Sequence, residues 1–218
     1  MLSSPPNLRV TLDAIDQAQF YQRPLTPAER EGFTLQILSR QIQGGAQAGM
    51  FSHGSSDGDN APRLFSGERL HTQLAADHTL LIDSARALIL LGVNSGAVSR
   101  ALELARRKME SRCYAGFCAV GECRHLTVAF MRYLIAMHSA EDEPRLVSFF
   151  TQLAAQRDGQ GRWGNFPFFY TLLMLSESDH PLAIQERHYA APLCAALLER
   201  PWKDDPISQR RQSILARR

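Results

Sequence analysis

Three cysteines and a histidine share one short stretch, "CYAGFCAVGECRH", as Cys113, Cys118, Cys123 and His125. Thiolates and imidazole are the ligands zinc prefers, and four of them this close in sequence could close a tetrahedral site. The cysteines are spaced five apart, but the distant second pair that usually completes a structural zinc site is missing; Cys194 and His188 are the only obvious remote candidates. Two other readings stand beside the metal. Small, soft side chains can fill a tight inter-helix turn next to Gly116 and Gly121, since cysteine is among the residue types most often buried. Alternatively, thiols flanked by Arg112, Arg124 and His125 would have a lowered pKa and redox reactivity.

Whatever this cluster does, helices must hold it. "TPAEREGFTLQILSRQIQGG" opens with Thr26 three residues before Glu29, a capping-box spacing, has Pro27 at the first helical position and ends on Gly44 and Gly45. "HTLLIDSARALILL" forms a second helix that Gly92 stops. "SGAVSRALELARRKMESR", "HLTVAFMRYLIAMHS", "EDEPRLVSFFTQLAAQRD", "PFFYTLLMLSES" and "HPLAIQERHYAAPLCAALLER" continue the series. "DPISQRRQSILARR" closes it, with Asp205 as cap and Pro206 as first residue. No stretch alternates with period two between hairpin turn signals, so the chain reads as all-α. Residues 1–25 read as an N-terminal extension and 26–218 as one helical domain. It is interrupted at about 51–68 by a polar segment, "FSHGSSDGDNAPRLFSGE", too broken for helix and longer than most connections.

Composition bounds the rest. A chain of 218 residues with 44% hydrophobic and 21% charged residues is long enough for a well-buried globular domain. A formal charge of +2 exerts no strong pull on nucleic acid. Arg210, Arg211, Arg217 and Arg218 crowd the tail, where cations near a helix C-terminus read as a solvated end. No run approaches a membrane span, and "MLSSPPNLRV" lacks an apolar signal core, which places the expectation in the cytoplasm.

A repeat runs through the helices. "LSRQIQGGAQAGMF" (38–51) and "LAAQRDGQGRW" (153–163) each carry a leucine, a glutamine three residues on (Gln41, Gln156) and a Gly-x-aromatic turn (Gly49 to Phe51, Gly161 to Trp163). A divergent copy, "LARRKMESRCYAGF", has Arg107 in the glutamine position and Gly116 before Phe117; an apolar helix follows each copy. Helix, glutamine, Gly-x-Trp and second helix together resemble the QW-type repeat of the squalene-cyclase and protein-prenyltransferase superfamily. That resemblance implies an α/α toroid of helical hairpins, with second helices lining a central cavity. A HEAT-like or TPR-like helical stack is the alternative architecture. The family's chemistry does not follow, because neither the Asp-x-Asp-Asp acid nor the Asp-Asp-x-x-Asp magnesium motif of terpene cyclisation occurs.

If the second helices line a cavity, Arg86, Arg132, Tyr133 and Tyr170 would project polar tips from an aromatic wall, next to the Trp163 joint. Such a lining suits an amphipathic ligand with an acidic group, since arginine clamps carboxylate or phosphate through two parallel hydrogen bonds. Asp83 and Arg86, three apart, equally read as a helix-surface pair. No phosphate-binding loop, dinucleotide fingerprint, nucleophile elbow or zincin motif is present. The favoured expectation is a binding or scaffold module with a concave apolar pocket for a protein, peptide or lipid-like ligand. The alternative is a small α/α-toroid enzyme acting on an isoprenoid or peptide, with the cysteine and histidine cluster as its zinc or thiol site.

Overall fold

A computed structural model describes residues 7–53 and 62–217. Among these residues nine α-helices occur: α1 (Leu8–Phe20), α2 (Pro27–Ser39), α3 (Gln73–Leu91), α4 (Gly96–Glu110), α5 (Cys123–Met137), α6 (Glu143–Ala154), α7 (Phe168–Ser176), α8 (Pro181–Leu198) and α9 (Pro206–Ala216). Extended pairing among the described residues is limited to two isolated bridges, Gln41 with Phe51 and Arg63 with Arg69. The chain is all-α, and no described helix is long and apolar enough to cross a membrane.

Local chemistry sets most helix ends. Thr26 accepts from the Glu29 amide while the Glu29 carboxylate reaches back to the Thr26 amide, and Pro27 needs no amide partner at the first position. Helix α2 nevertheless stops at Ser39, five residues before the glycine pair, because the chain turns there to bridge Gln41 to Phe51. Helix α3 ends on Gly92 in the left-handed conformation.

Helices α3, α5, α7 and α9 pack in series, while α2 lies against α4 and α6 against α8. The difference follows from their surfaces. In α5 every residue from Leu126 to Leu134 is buried, and in α7 every residue from Tyr170 to Leu175; helices apolar all round belong inside. By contrast, α4 buries only Val98, Ala101, Ala105 and Met109, one stripe at three- and four-residue spacing.

Residues 8–20 of the stretch expected as an N-terminal extension are part of this core. Helix α1 packs on α3 through Leu8, Leu12, Ile15 and Phe20, all buried. The C-terminal arginines are not a solvated end either. Arg210 pairs with Asp13 at 2.8 Å and sits over the Phe65 ring, Arg211 donates to the Ser66 carbonyl at 2.9 Å, and Arg217 lies 3.7 Å over Phe20. They tie α9 to α1 and to the segment before α3, whose Leu64, Phe65 and Ser66 are buried. Of the long polar segment, residues 54–61 lie outside the described residues, as does Arg218.

Two turns that lead into buried helices share one geometry. Gly49, before α3, has φ +87°, and a Cβ there would fall 2.6 Å from the Leu104 carbonyl oxygen of α4. Gly161, before α7, has φ +86°, and a Cβ there would fall 2.9 Å from Leu193 Cβ of α8. Backbone conformation and close approach both require glycine at these positions.

Candidate functional site

Arg86 on α3 and Arg132 on α5 are among the most deeply buried charges in the molecule, at 4% and 2% exposure. A buried guanidinium needs carboxylates, and α1 and the residue just past α7 supply them. Asp16 accepts from Arg86 Nη1 and, at 3.1 Å, from Arg132 Nη2. Glu177 accepts from Arg86 Nη2 at 2.8 Å and from Arg132 through both Nε (2.8 Å) and Nη2 (2.7 Å). Arg132 Nη1 donates to the Tyr170 hydroxyl at 3.3 Å, and that hydroxyl donates to Asp83 at 3.5 Å. Burial alone would raise the Asp16 carboxyl, but Arg132 and Arg86 outweigh it and hold the group below its ordinary value. Asp83 lacks such direct partners: burial, and then the Asp16 charge, raise it from 3.8 to about 6. The Asp83–Arg86 surface pair expected from spacing is therefore replaced by a four-helix ion cluster in which Arg86 faces Asp16 and Glu177.

The five residues expected to contact ligand separate into two groups. Arg86 and Arg132 do border an open cavity of about 340 Å³, with Gln19, Gln22, Glu177 and Arg217. Tyr133, Tyr170 and Trp163 line neither this cavity nor the larger one described below. Tyr133 stacks on Phe130 in the core, and Tyr170 is fully buried within the ion cluster. Trp163 is 1% exposed; its indole N–H donates to Glu186 of α8 at 2.7 Å and its ring stacks on Phe168. Arg157, just past α6, holds the same carboxylate at 2.6 Å, so Trp163 fills the joint between α6, α7 and α8.

A second cavity, of about 480 Å³, opens between the α2–α3 connection, α3 and α4. Ile42, Met50, Phe51 and Leu74 give it apolar walls, and Lys108 and Arg112 stand over them. The one carboxylate in its lining among the described residues, Asp77, is held 2.7 Å from His53. His78, also in the lining, is kept neutral near neutral pH: burial first, then the Arg112 charge, lowers it to about 4, and its Nδ1 lies 3.0 Å from the Tyr114 hydroxyl. Lys108 donates to the Ala46 carbonyl at 2.7 Å, and Arg112 forms no ion pair among the described residues. Nothing in the sequence singled out this cavity, because its walls come from three separate segments without a shared motif.

The cysteine stretch folds as a short 3-10 turn (Cys113–Gly116) and a loop into the first turn of α5. The sulfurs of Cys113, Cys118 and Cys123 lie within 4.8 Å of one another, with Cys113 and Cys123 at 3.7 Å, and all are free thiols. His125, expected as a fourth ligand, is outside this group; its Nδ1 is buried without a hydrogen-bond partner among the described residues, and burial depresses its pKa. The lowered thiol pKa expected from neighbouring cations is reversed at Cys123, where burial, then the Cys113 sulfur, push the thiol up to about 12. Held this way, Cys123 stays a thiol near neutral pH.

The loop itself is pinned from several sides. Thr127 accepts from the Cys118 amide at 3.0 Å and donates to its carbonyl at 2.9 Å. Glu122 accepts from the His71 and Thr72 amides at 2.6 and 2.7 Å, anchoring the loop to the start of α3. Arg124 donates to the Asn165 carbonyl at 2.8 Å, and Arg145 to that of Ala115 at 2.9 Å. Phe117 occupies φ +68°, a conformation that costs a bulky residue about 1–3 kcal/mol, and is kept there by edge and tilted contacts with Phe149 and Phe166.

No family model, no curated protein and no solved structure matches this chain. The fold and the sites defined by these residues therefore carry the functional reading on their own.

Proposed function

We propose that the chain is a binding module of helical hairpins, and that it takes an amphipathic ligand with an acidic head group in the 480 Å³ cavity between α3 and α4. One observation carries this reading: among the described residues the cavity joins apolar walls (Ile42, Met50, Phe51, Leu74) to two cations, Lys108 and Arg112, with a single carboxylate that His53 already engages. Its volume falls in the range of about 300–1,000 Å³ usual for small-molecule sites. The central arginines suit an acidic ligand less well. Asp16 and Glu177 already neutralise them, so a ligand carboxylate would have to displace a built-in counterion from a low-dielectric setting. The hairpin-repeat and toroid-like reading is supported by the matching turns at Gly49 and Gly161, each seated on the helix that follows the next buried one.

Three ten-carbon probes with different heads test the site: decanoate, decanol and decyltrimethylammonium, each titrated calorimetrically into the protein. Decanoate should bind most tightly, and Lys108→Ala with Arg112→Ala should weaken it by about tenfold or more, about 1.4 kcal/mol. Equal binding of all three heads, or decanoate affinity untouched in the double variant, would overturn the proposal.

A further inference from the structure

We propose that Cys113, Cys118 and Cys123 bind one zinc ion as three thiolates, leaving its fourth position open to an exchangeable ligand. The inference is independent of the amphipathic cavity and rests on how the sulfurs are held. With a Zn–S bond of about 2.3 Å, the edge of a tetrahedral site is about 3.8 Å. The Cys113 and Cys123 sulfurs already stand 3.7 Å apart, and Cys118 completes a group confined to 4.8 Å. Closing on a cation therefore takes a shift of about 1 Å in one side chain. A disulfide, with an S–S bond of about 2.05 Å, would need a larger approach and would leave one sulfur unused.

The surroundings favour a metal over incidental packing. Cys113 is exposed and Cys118 and Cys123 are half-buried, so the cluster is not a core filler and an ion can reach it from solvent. The backbone that carries the cysteines is fixed by bonds made by other residues. Thr127 clamps Cys118, the Glu122 carboxylate docks on the start of α3, and Phe117 is held in a conformation its side chain disfavours. Those contacts order the loop before any ion arrives, as a preorganised site requires. Arg112 and Arg124 flank the outer two cysteines and oppose the net negative charge of a dication with three thiolates.

Three protein ligands, not four, are what the geometry assembles. Closed four-ligand sites are structural, whereas a three-ligand site keeps a position for water or an incoming group. His125 stays outside the trio, so the fourth position falls to solvent or to an added ligand. In forming the site each thiol loses one proton to buffer, and no oxidant or reductant is involved.

Cobalt(II) substitution in the reduced full-length chain, purified without a histidine tag, tests the site. One equivalent should give tetrahedral d–d bands and a sulfur charge-transfer band that zinc then abolishes, and adding a small thiol or azide should change the d–d bands. Single Cys113→Ser, Cys118→Ser and Cys123→Ser variants should each lose about a third of the charge-transfer intensity and bind at least tenfold more weakly, while His125→Ala should keep the spectrum. A second measurement covers variants that fail to fold: in the wild-type chain, zinc should protect three cysteines from maleimide. Absence of stoichiometric binding, an unchanged spectrum in the folded triple serine variant, or no protection by zinc would each overturn the proposal.

Discussion

Asp16 and Asp83 belong to the same buried cluster, yet replacing them should move stability in opposite directions. Asp16→Asn removes the carboxylate shared by Arg86 and Arg132 and leaves two guanidiniums, at 4% and 2% exposure, with Glu177 alone. Breaking a buried charge pair on one side costs about 3–5 kcal/mol. At about 2–4 °C per kcal/mol for a chain of this size, the melting temperature should fall by roughly 6–20 °C. Asp83 is the reverse case. Its carboxyl is raised from 3.8 to about 6, so the folded state holds a proton that the unfolded state releases between those values. Stability therefore declines as pH rises through that window, and above pH 6 the ionised group opposes folding. Two units correspond to about 3 kcal/mol, and the partial exposure of Asp83 reduces this to about 1–2 kcal/mol. Asp83→Asn should thus be near neutral at pH 4 and stabilising at pH 8. Asp16, held low by its arginines, contributes stability at every pH above the ordinary carboxylate range and loses it only as pH falls through its lowered pKa. Urea unfolding followed by circular dichroism at pH 4, 6 and 8 reads both effects. Equal destabilisation by the two variants at pH 8, or an Asp83→Asn effect that does not change with pH, would refute this account of the cluster.

Trp163→Phe keeps most of the buried ring but removes the N–H that donates to Glu186, a carboxylate at 2% exposure; unfolding should become easier by about 1–3 kcal/mol, measurable in the same urea titration. Gly161→Ala should destabilise more than Gly159→Ala. Both have positive φ, but a Cβ at Gly161 meets Leu193 at 2.9 Å while one at Gly159 meets nothing within 4 Å; equal melting temperatures for the two variants would mean the contact with α8 does not matter.

Local signals were the legible part of this chain. The Thr26, Pro27 and Glu29 cap and the Gly92 stop act within a few residues, so their spacing carries the full information. The buried helices were equally plain from their largely apolar runs. The ion cluster was legible only by half. An arginine inside "VAFMRYLIAM" announces a counterion, because a buried charge must be paired, but spacing along α5 cannot name one that lies 116 residues away in α1 or 45 residues on, just past α7. Asp16 sits in α1, within the stretch that read as an N-terminal extension. Trp163 could be placed correctly as a joint because glycine, aromatic and flanking helices act together within a dozen residues. Cysteine spacing showed proximity in the chain but not convergence in space, which is why three sulfurs meet and His125 does not.

The three turns that lead into α3, α5 and α7 differ in a way that bears on the cysteines. Before α3 and α7 the turn glycine is pressed against the helix after that one, α4 and α8, so the backbone there tolerates no side chain. Before α5 the corresponding Gly116 has open space around it, and Phe117 takes the positive φ and fills the aromatic joint with Phe149 and Phe166. The same turn also packs through Tyr114 and Ala115, both buried, with the Tyr114 ring against His78 and Phe130. It is held by Thr127 and Arg124 of α5, by Arg145 of α6 and by Glu122 just before α5. The turn before α5 thus combines core packing by Tyr114 and Phe117 with a backbone held from several sides, and it carries three cysteine sulfurs within 4.8 Å of one another.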